Sequence, residues 1–188
     1  GSEMCIRDRA ISSFLAKLGT SEAIEPYYDL ETLAQSLDLS RLGRSQPKFD
    51  EAELLAFNTR FVRSMPYAFI RERISAGEDF WNAVRGNLNR VSDITEWEDI
   101  CHRPLEPVIE DRELTALAAE LLPPEPWNDD TFTLWMNEVK AQSGKKGREL
   151  FHPIRKALTA QENGPELKIL LPLIGREKAC NRLKGIKA

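Results

Sequence analysis

Apolar residues recur along this chain at helical spacing, and the recurrence is broken repeatedly by proline or glycine. Ile11, Phe14, Leu15 and Leu18 form a first stripe, with Gly19 placed to end it. Leu30, Leu33, Ala34 and Leu37 form a second after Asp29, a good N-cap residue. Asp50 caps a third helix, with Glu53 at N3 and Phe49 placed to staple against Leu54. Leu54, Phe57, Asn58 and Phe61 continue it until Met65-Pro66. Residues 67–81 read as a short helix, a turn at Gly77 and a restart near Asp79. Phe80, Trp81, Val84, Leu88 and Val91 share a face that Gly86 weakens. Trp97, Ile100 and Cys101 cluster before Pro104. Asp111 precedes a helix bearing Leu114, Leu117, Ala118, Leu121 and Leu122.

Pro123-Pro124-Glu125-Pro126 ends that helix and is the strongest internal boundary. Beyond it, Asn128, Asp129 or Asp130 caps a helix with Phe132, Trp135, Met136 and Val139 on one side. Phe151, Ile154 and Leu158 mark the next helix, where Pro153 requires a position near the start. Asn163-Gly164-Pro165 turns into Leu167, Leu170, Leu171 and Ile174, and Arg176 to Leu183 closes the series. No period-two alternation, internal repeat or heptad series stands out. The expected fold is all-α, an irregular multi-helix bundle of short helices with proline and glycine corners.

Composition changes this picture in one respect. The 188 residues, 41% hydrophobic and 30% charged, suffice for one large domain or two small ones. The formal net charge is −4, but from Lys140 to Ala188 there are 12 Lys/Arg against 4 Asp/Glu. A local basic field of that kind is the footprint of a polyanionic partner, or simply a solvated helix end. Three cysteines, Cys5, Cys101 and Cys180, are too few and too scattered for a disulfide framework, which fits a reducing compartment. No apolar run is long enough to span a membrane. Residues 1–9 read as a non-native leader, with Gly1-Ser2 resembling a cloning scar.

Catalytic patterns are missing. There is no P-loop, GxGxxG segment or HExxH pair. Asp129-Asp130, Glu96 with Asp99, and Glu110-Asp111 stand where caps and solvated faces are expected. His102 has no nucleophile partner in sequence. His152 sits beside Phe151 and Pro153, where packing or capping is the plainer role; a phosphate or base contact through its proximity to Arg155 is the other. Trp81, Trp127 and Trp135 lie on apolar stripes and suit a core better than base stacking.

The second half carries a resemblance. Lys146-Gly147-Arg148-Glu149-Leu150-Phe151-His152-Pro153-Ile154-Arg155-Lys156-Ala157-Leu158-Thr159 resembles the K-G-x-x-L-F-x-P-(L/I)-R-x-A-L-T signature of bacterial glutamyl-tRNA synthetases. Asn163-Gly164-Pro165-Glu166-Leu167, followed by Leu170-Leu171-Pro172-Leu173-Ile174-Gly175-Arg176-Glu177-Lys178-Ala179, continues it. Leu121 to Trp127, Pro47-Lys48-Phe49-Asp50 and Ala10 to Gly19 are similar to the same family, so the likeness covers about residues 10–184.

The resemblance implies the C-terminal part of such an enzyme: the end of a stem-contact helical region over 10–64, then two consecutive helical anticodon-binding domains over 65–124 and 125–188. It implies a cytoplasmic module that binds tRNA for glutamate, with tRNA for glutamine an open second partner, and neither DNA nor membrane. It implies no cofactor in this chain. ATP belongs to a catalytic domain that is absent here, as are HIGH-type and KMSK-type motifs, so the fragment alone is expected to be inactive. Carried over by position, the anticodon-binding residues are Arg155, Gly164, Pro165 and Leu167. Arg155 supplies several donors, and the Gly-Pro turn with Leu167 supplies an apolar platform. In the first anticodon domain the family arginine slot holds Asn87, with Arg85 two residues earlier, so either residue fills that role. Lys145, Lys146 and Arg148 suit phosphate positioning. The competing reading is a helical interaction or structural domain derived from a synthetase, without useful RNA affinity.

Overall fold

The computed structural model describes residues 2–43 and 48–188, with side chains from Asp8 onward. Pro47, part of one similar segment, and the side chains of Met4, Cys5 and Ile6 lie outside the described residues, as does Gly1. Ten α-helices and no strand occur among the described residues. The chain forms two compact units, Gly1–Ile94 and Thr95–Ala188. The Pro123–Pro126 corner therefore falls inside the second unit.

The first unit opens with α1 (Ser2–Lys17), which starts before the expected Ala10. Residues 2–9 contain no proline or glycine that would stop a helix from extending back through them. The buried face of α1 also differs from the expected stripe. Ala10, Ser13, Phe14 and Lys17 are buried, whereas Leu15 is half exposed. The polar members of that face are satisfied from elsewhere. Ser13 Oγ donates to the Arg9 carbonyl at 2.8 Å and accepts from Tyr27 N at 3.2 Å. Lys17 Nζ donates to Glu22 Oε2 at 2.7 Å and to the Ser36 carbonyl at 3.0 Å. Gly19 takes φ +88°, the left-handed stop expected of it.

Asp29 caps α2 (Leu30–Gln35) by accepting from Thr32 N at 2.7 Å. Only Leu33 of its expected stripe is buried, and Leu30 and Leu37 face solvent. Asp50 caps α3 (Glu51–Ser64) through Ala52 N. Phe49 sets its ring edge-on to Phe14 at 6.1 Å. Phe14, Phe57 and Phe61 form a chain of ring contacts, and Tyr28 extends it to Phe61. Met65, extended as a residue before proline must be, ends α3. α4 (Glu78–Val84) buries Phe80, Trp81 and Val84, and Trp81 Nε1 donates to the Met65 carbonyl at 3.0 Å. The helix tightens into a 3-10 turn over Arg85–Asn87, where Gly86 stands.

The second unit contains α5 (Ile94–His102) from Thr95 on, and α6 (Arg112–Glu120), capped by Asp111 through Leu114 N at 3.1 Å. α6 packs against α7 (Thr131–Ser143), α8 (Arg148–Thr159) and α10 (Arg176–Leu183), and α9 (Leu167–Ile174) packs beside α7 and α10. Leu114, Ala118, Trp135, Met136, Val139, Leu150, Ile154, Leu158, Leu170 and Leu183 make the core. Trp135 donates its indole N–H to the Ala118 carbonyl at 2.9 Å. Trp81 and Trp135 are thus core residues with satisfied polar ends, as their stripes imply. Asn128 Oδ1 gathers the N–H groups of Asp130 and Thr131 at 3.0 Å each ahead of α7.

Two arginines tie this unit together. Arg176 donates from Nε to the Pro123 carbonyl at 3.0 Å, and its backbone N–H donates to Glu125 Oε1 at 3.2 Å. Trp127 Nε1 reaches the same Pro123 carbonyl at 3.0 Å. Arg182 is fully buried. Its Nε, Nη1 and Nη2 donate to the carbonyls of Ala188, Leu158 and Arg103 at 2.8, 2.8 and 3.1 Å. Burial without an Asp or Glu partner is tolerable here because each edge of the guanidinium fork meets a backbone oxygen.

Candidate nucleic-acid interface

α8 is the helix that presents the signature residues. Gly147, at φ +56°, turns the chain into it, and the Leu150 and Phe151 N–H groups donate to the Gly147 carbonyl. Its inner face buries Leu150, Ile154, Ala157 and Leu158. Pro153 lies within the second turn rather than at the start, so the Glu149 carbonyl has no i+4 donor. The opposite face carries Arg148, Phe151, His152 and Arg155. With Glu162 and Asn163 from the following loop they line an open hollow of about 380 Å³.

Within this hollow Arg155 is half-buried and its Nη1 is sealed from solvent without a hydrogen-bond partner. Burial pushes its guanidinium below the usual arginine value. A buried donor left unpaired costs about 1–3 kcal/mol. His152 is similar: its Nε2 is buried and unpartnered, while Nδ1 lies 3.0 Å from Glu110 Oε2. Lys156 Nζ bridges Glu110 Oε1 at 3.1 Å and Glu162 Oε1 at 3.2 Å. Lys156, then His152, holds the Glu110 carboxyl below its usual range, and Glu110 in turn raises Lys156. Phe151 keeps 43% of its surface exposed on the same face.

The loop after α8 is strapped in place. Ala160 takes φ +55°, Thr159 Oγ1 donates to the Arg155 carbonyl at 2.8 Å, and Gln161 Nε2 donates to Glu96 Oε1 at 2.9 Å. Gly164 lies flat against Trp97: a Cβ built there would come within 2.6 Å of Cζ2. Pro165 is buried and so is Leu167. The Leu167 side chain therefore packs into the core and offers no apolar platform at the surface; Phe151 is the exposed ring in this region.

The other expected residues fall in different settings. Lys145 pairs with Asp111, the cap of α6. Lys146 and Arg148 are exposed. In the first unit, Arg85 donates from Nη1 to the carbonyls of Arg63 and Met65 at 3.3 and 3.2 Å, closing the C-terminal end of α3. Asn87 stands exposed two residues on. Of the expected set, Arg148 and Arg155 meet in one hollow beside the Asn163-Gly164 turn. The sequence also passed over Glu110, 42 residues from His152, whose pairing no local spacing announces.

A smaller hollow of about 140 Å³ lies between Trp127, Phe132, Lys168 and Pro172. No group of His, Cys, Asp and Glu able to hold a metal occurs among the described residues. No described helix is long and apolar enough to cross a membrane.

Comparison with known proteins gives a consistent result. The family described as an anticodon binding domain matches residues 22–187. Glutamate–tRNA ligase 1 of Parvibaculum lavamentivorans is 47% identical over 182 residues, covering 94% of this chain and 40% of that protein. Glutamate–tRNA ligase 2 of Methylorubrum populi is 43% identical over 183 residues, covering 94% and 41% respectively. The chain thus spans about two fifths of the length of these curated relatives. Among solved structures, a glutamate tRNA ligase from Elizabethkingia meningosepticum in complex with its amino acid superposes with a TM-score of 0.71. The two are 16% identical, and the match covers 93% of this chain and 40% of that one, which shows a shared fold.

Proposed function

Because this chain belongs to the anticodon binding domain family, we propose that it is the tRNA-reading part of a glutamate–tRNA ligase. In this reading it holds the anticodon loop of tRNA for glutamate, while ATP-dependent attachment of glutamate is carried out by residues outside these 188. The chain alone binds RNA and makes no aminoacyl-adenylate. Whether tRNA for glutamine is also accepted is decided by the same contacts. The setting is the cytoplasm, and the nucleic acid is RNA rather than DNA.

One observation carries the reading. Arg155 lines an open hollow with Arg148, Phe151 and Asn163, and its Nη1 donor is buried with no protein partner. A residue serving only the fold would be expected to pair every donor it buries. A single-stranded RNA loop suits the accessible lining of this hollow: base edges for the exposed part of Arg155, a ring face for Phe151, and phosphates for Arg148 and Lys146. The cationic and aromatic lining of the hollow favours this reading over a purely structural domain.

The three-part division is read in the same functional terms. Residues 10–64 would finish a stem-contact region, residues 65–124 would form the first anticodon-contacting part, with Arg85 or Asn87 at its contact position, and residues 125–188 the second. Arg85 spends Nη1 on the end of α3, so Asn87 is the freer of the two to meet a base. Pro165 and Leu167, both buried, contribute by fixing the turn beside Gly164.

The test is binding of the chain to fluorescent anticodon stem-loops at two salt concentrations. The set holds a glutamate-type loop, one with altered anticodon bases and an unrelated loop. Preference for the glutamate-type loop, lost in Arg155→Ala, is the expected result. Equal binding to every loop, or none, overturns the reading.

A further inference from the structure

Two consecutive residues of α5 hold the two ends of the loop that follows α8. Gln161 Nε2 donates to Glu96 Oε1 at 2.9 Å, across 65 residues of sequence. Three residues on, Gly164 lies against the six-membered ring of the Trp97 indole, which leaves no room for a Cβ. Trp97 is buried, so its ring is a fixed floor for the turn. Between these ties stand Glu162 and Asn163, both exposed. The other bonds of the segment close on α8 itself. Gln161 N donates to Oγ1 of the buried Thr159 at 3.2 Å, and Lys156 Nζ donates to Glu162 Oε1 at 3.2 Å. Those bonds join the loop to the helix it leaves, whereas the α5 contacts come from a separate helix and set where the segment lies.

Placement of this kind bears on selectivity more than on affinity. Hydrogen bonds to a base edge weaken steeply when donor and acceptor are misaligned, so a reading loop must be held to about 0.5 Å. Contacts from a lysine ammonium to phosphate tolerate displacement, because a point charge on a flexible stem follows its partner. A loop loosened from α5 should therefore discriminate less between RNA loops and keep its dependence on salt.

We propose that Glu96 and Trp97 are positioning residues for RNA recognition. They fix residues 161–164 at the height from which the exposed Asn163 meets the RNA, and they act through the loop without touching the RNA themselves. The inference rests on the reading of the chain as an anticodon reader. It adds α5, a helix that lines neither hollow, to the elements that set its selectivity.

The test follows the 188-residue chain by NMR during titration with the glutamate-type stem-loop. In the free protein the Gln161 side-chain amide is expected downfield of an unbonded glutamine, and the Gly164 α protons displaced by the indole ring current. Both signatures should persist when the RNA is saturating. Trp97→Phe shortens the ring where it meets Gly164, and should lower the preference for the glutamate-type over the unrelated loop about tenfold. Glu96→Ala should lower it about threefold, and Glu96→Gln, which keeps an acceptor oxygen, should restore it. The salt dependence should be unchanged in all three. Val139→Ala, a truncation in the core of α7, should lower stability and keep the preference. Signatures that vanish as the loop binds overturn the inference, as does a preference that survives their loss in the variants. An equal loss of preference in Val139→Ala also overturns it, since selectivity would then follow stability alone. A wild type without any loop preference overturns the functional reading and this inference together. The titration is read on unsubstituted protein, so a variant that fails to fold does not remove the test.

Discussion

Trp97 occupies the space that a side chain on Gly164 would need. A Cβ there would stand 2.6 Å from Cζ2 and 3.1 Å from Cζ3 of the indole, at a backbone φ of +150°. A ring held in a core cannot move aside as a flexible chain end would. Gly164→Ala should therefore cost about 1–3 kcal/mol in urea unfolding. Combining it with Trp97→Leu should give less than the sum of the two losses. Additive losses would mean that the ring does not set the requirement for glycine.

Arg155 should show opposite effects on stability and binding. Arg155→Met removes a buried donor that has no protein partner. Urea unfolding should leave stability unchanged or raise it by up to about 1 kcal/mol. Affinity for the glutamate-type loop should fall at least tenfold. A variant that loses stability would show that the guanidinium is paired in solution.

Arg182 is expected to behave in the reverse sense. Its guanidinium satisfies three carbonyls from a fully buried position. Arg182→Met would strand all three, and a loss of about 3 kcal/mol or more is expected on denaturant unfolding. Arg182→Lys should restore only part of it, since an ammonium cannot reproduce the planar fork. RNA preference measured below the unfolding transition should be retained.

Acid should weaken the second unit through Asp111. Its carboxyl is held below the ordinary value, first by Lys145 and then by the Leu114 N–H it caps. For a carboxyl depressed in the folded state, the contribution is present above the unfolded value of about 3.9 and is lost as pH falls through the folded one. Thermal melts should show wild type losing stability below about pH 4 more steeply than Asp111→Asn. At neutral pH that variant should be less stable by up to about 1 kcal/mol, because asparagine keeps the cap and loses only the ion pair with Lys145. Parallel pH curves would assign the acid loss to other carboxylates.

Phosphate contacts should be separable from base contacts by salt. Lys146 and Arg148 are exposed at the start of α8. Neutralising both should weaken every loop similarly and flatten the log–log salt dependence by about 0.7 per phosphate released. Lys145, already paired with Asp111, should change that slope less. A change confined to the glutamate-type loop would show that the pair reads sequence.

Helix starts were legible because a cap acts within its own first turn. Asp29, Asp50 and Asp111 each accept from an N–H two or three residues on, as their positions require. The all-α class, the Gly19 stop and the core roles of Trp81 and Trp135 follow from similarly local patterns. The buried face of α1 did not, because Ser13 and Lys17 are satisfied by Tyr27, Glu22 and Ser36 across turns that no periodicity encodes. Leu167 illustrates a different difficulty. Its place after Gly164-Pro165 made it an expected platform, yet the turn directs it inward, and apolar character alone does not distinguish a surface shelf from a core residue. At the site, Arg155 was visible within a signature. The Glu110–His152 pair was not, since a contact across 42 residues leaves no local trace.

The three acceptors of Arg182 also bear on how the second unit is made by a ribosome. The Arg103 carbonyl precedes its donor by 79 residues and the Leu158 carbonyl by 24. At about 5–20 residues per second, the nascent chain carries the end of α5 for roughly 4 to 16 seconds before the arginine that closes it is synthesised. α6, α7 and α8 can form and pack in that interval, but the unit stays unlatched until its last helix emerges. Its completion is timed by translation itself, and a pause in the codons before Arg182 would lengthen the interval in which the unfinished core is open to other chains.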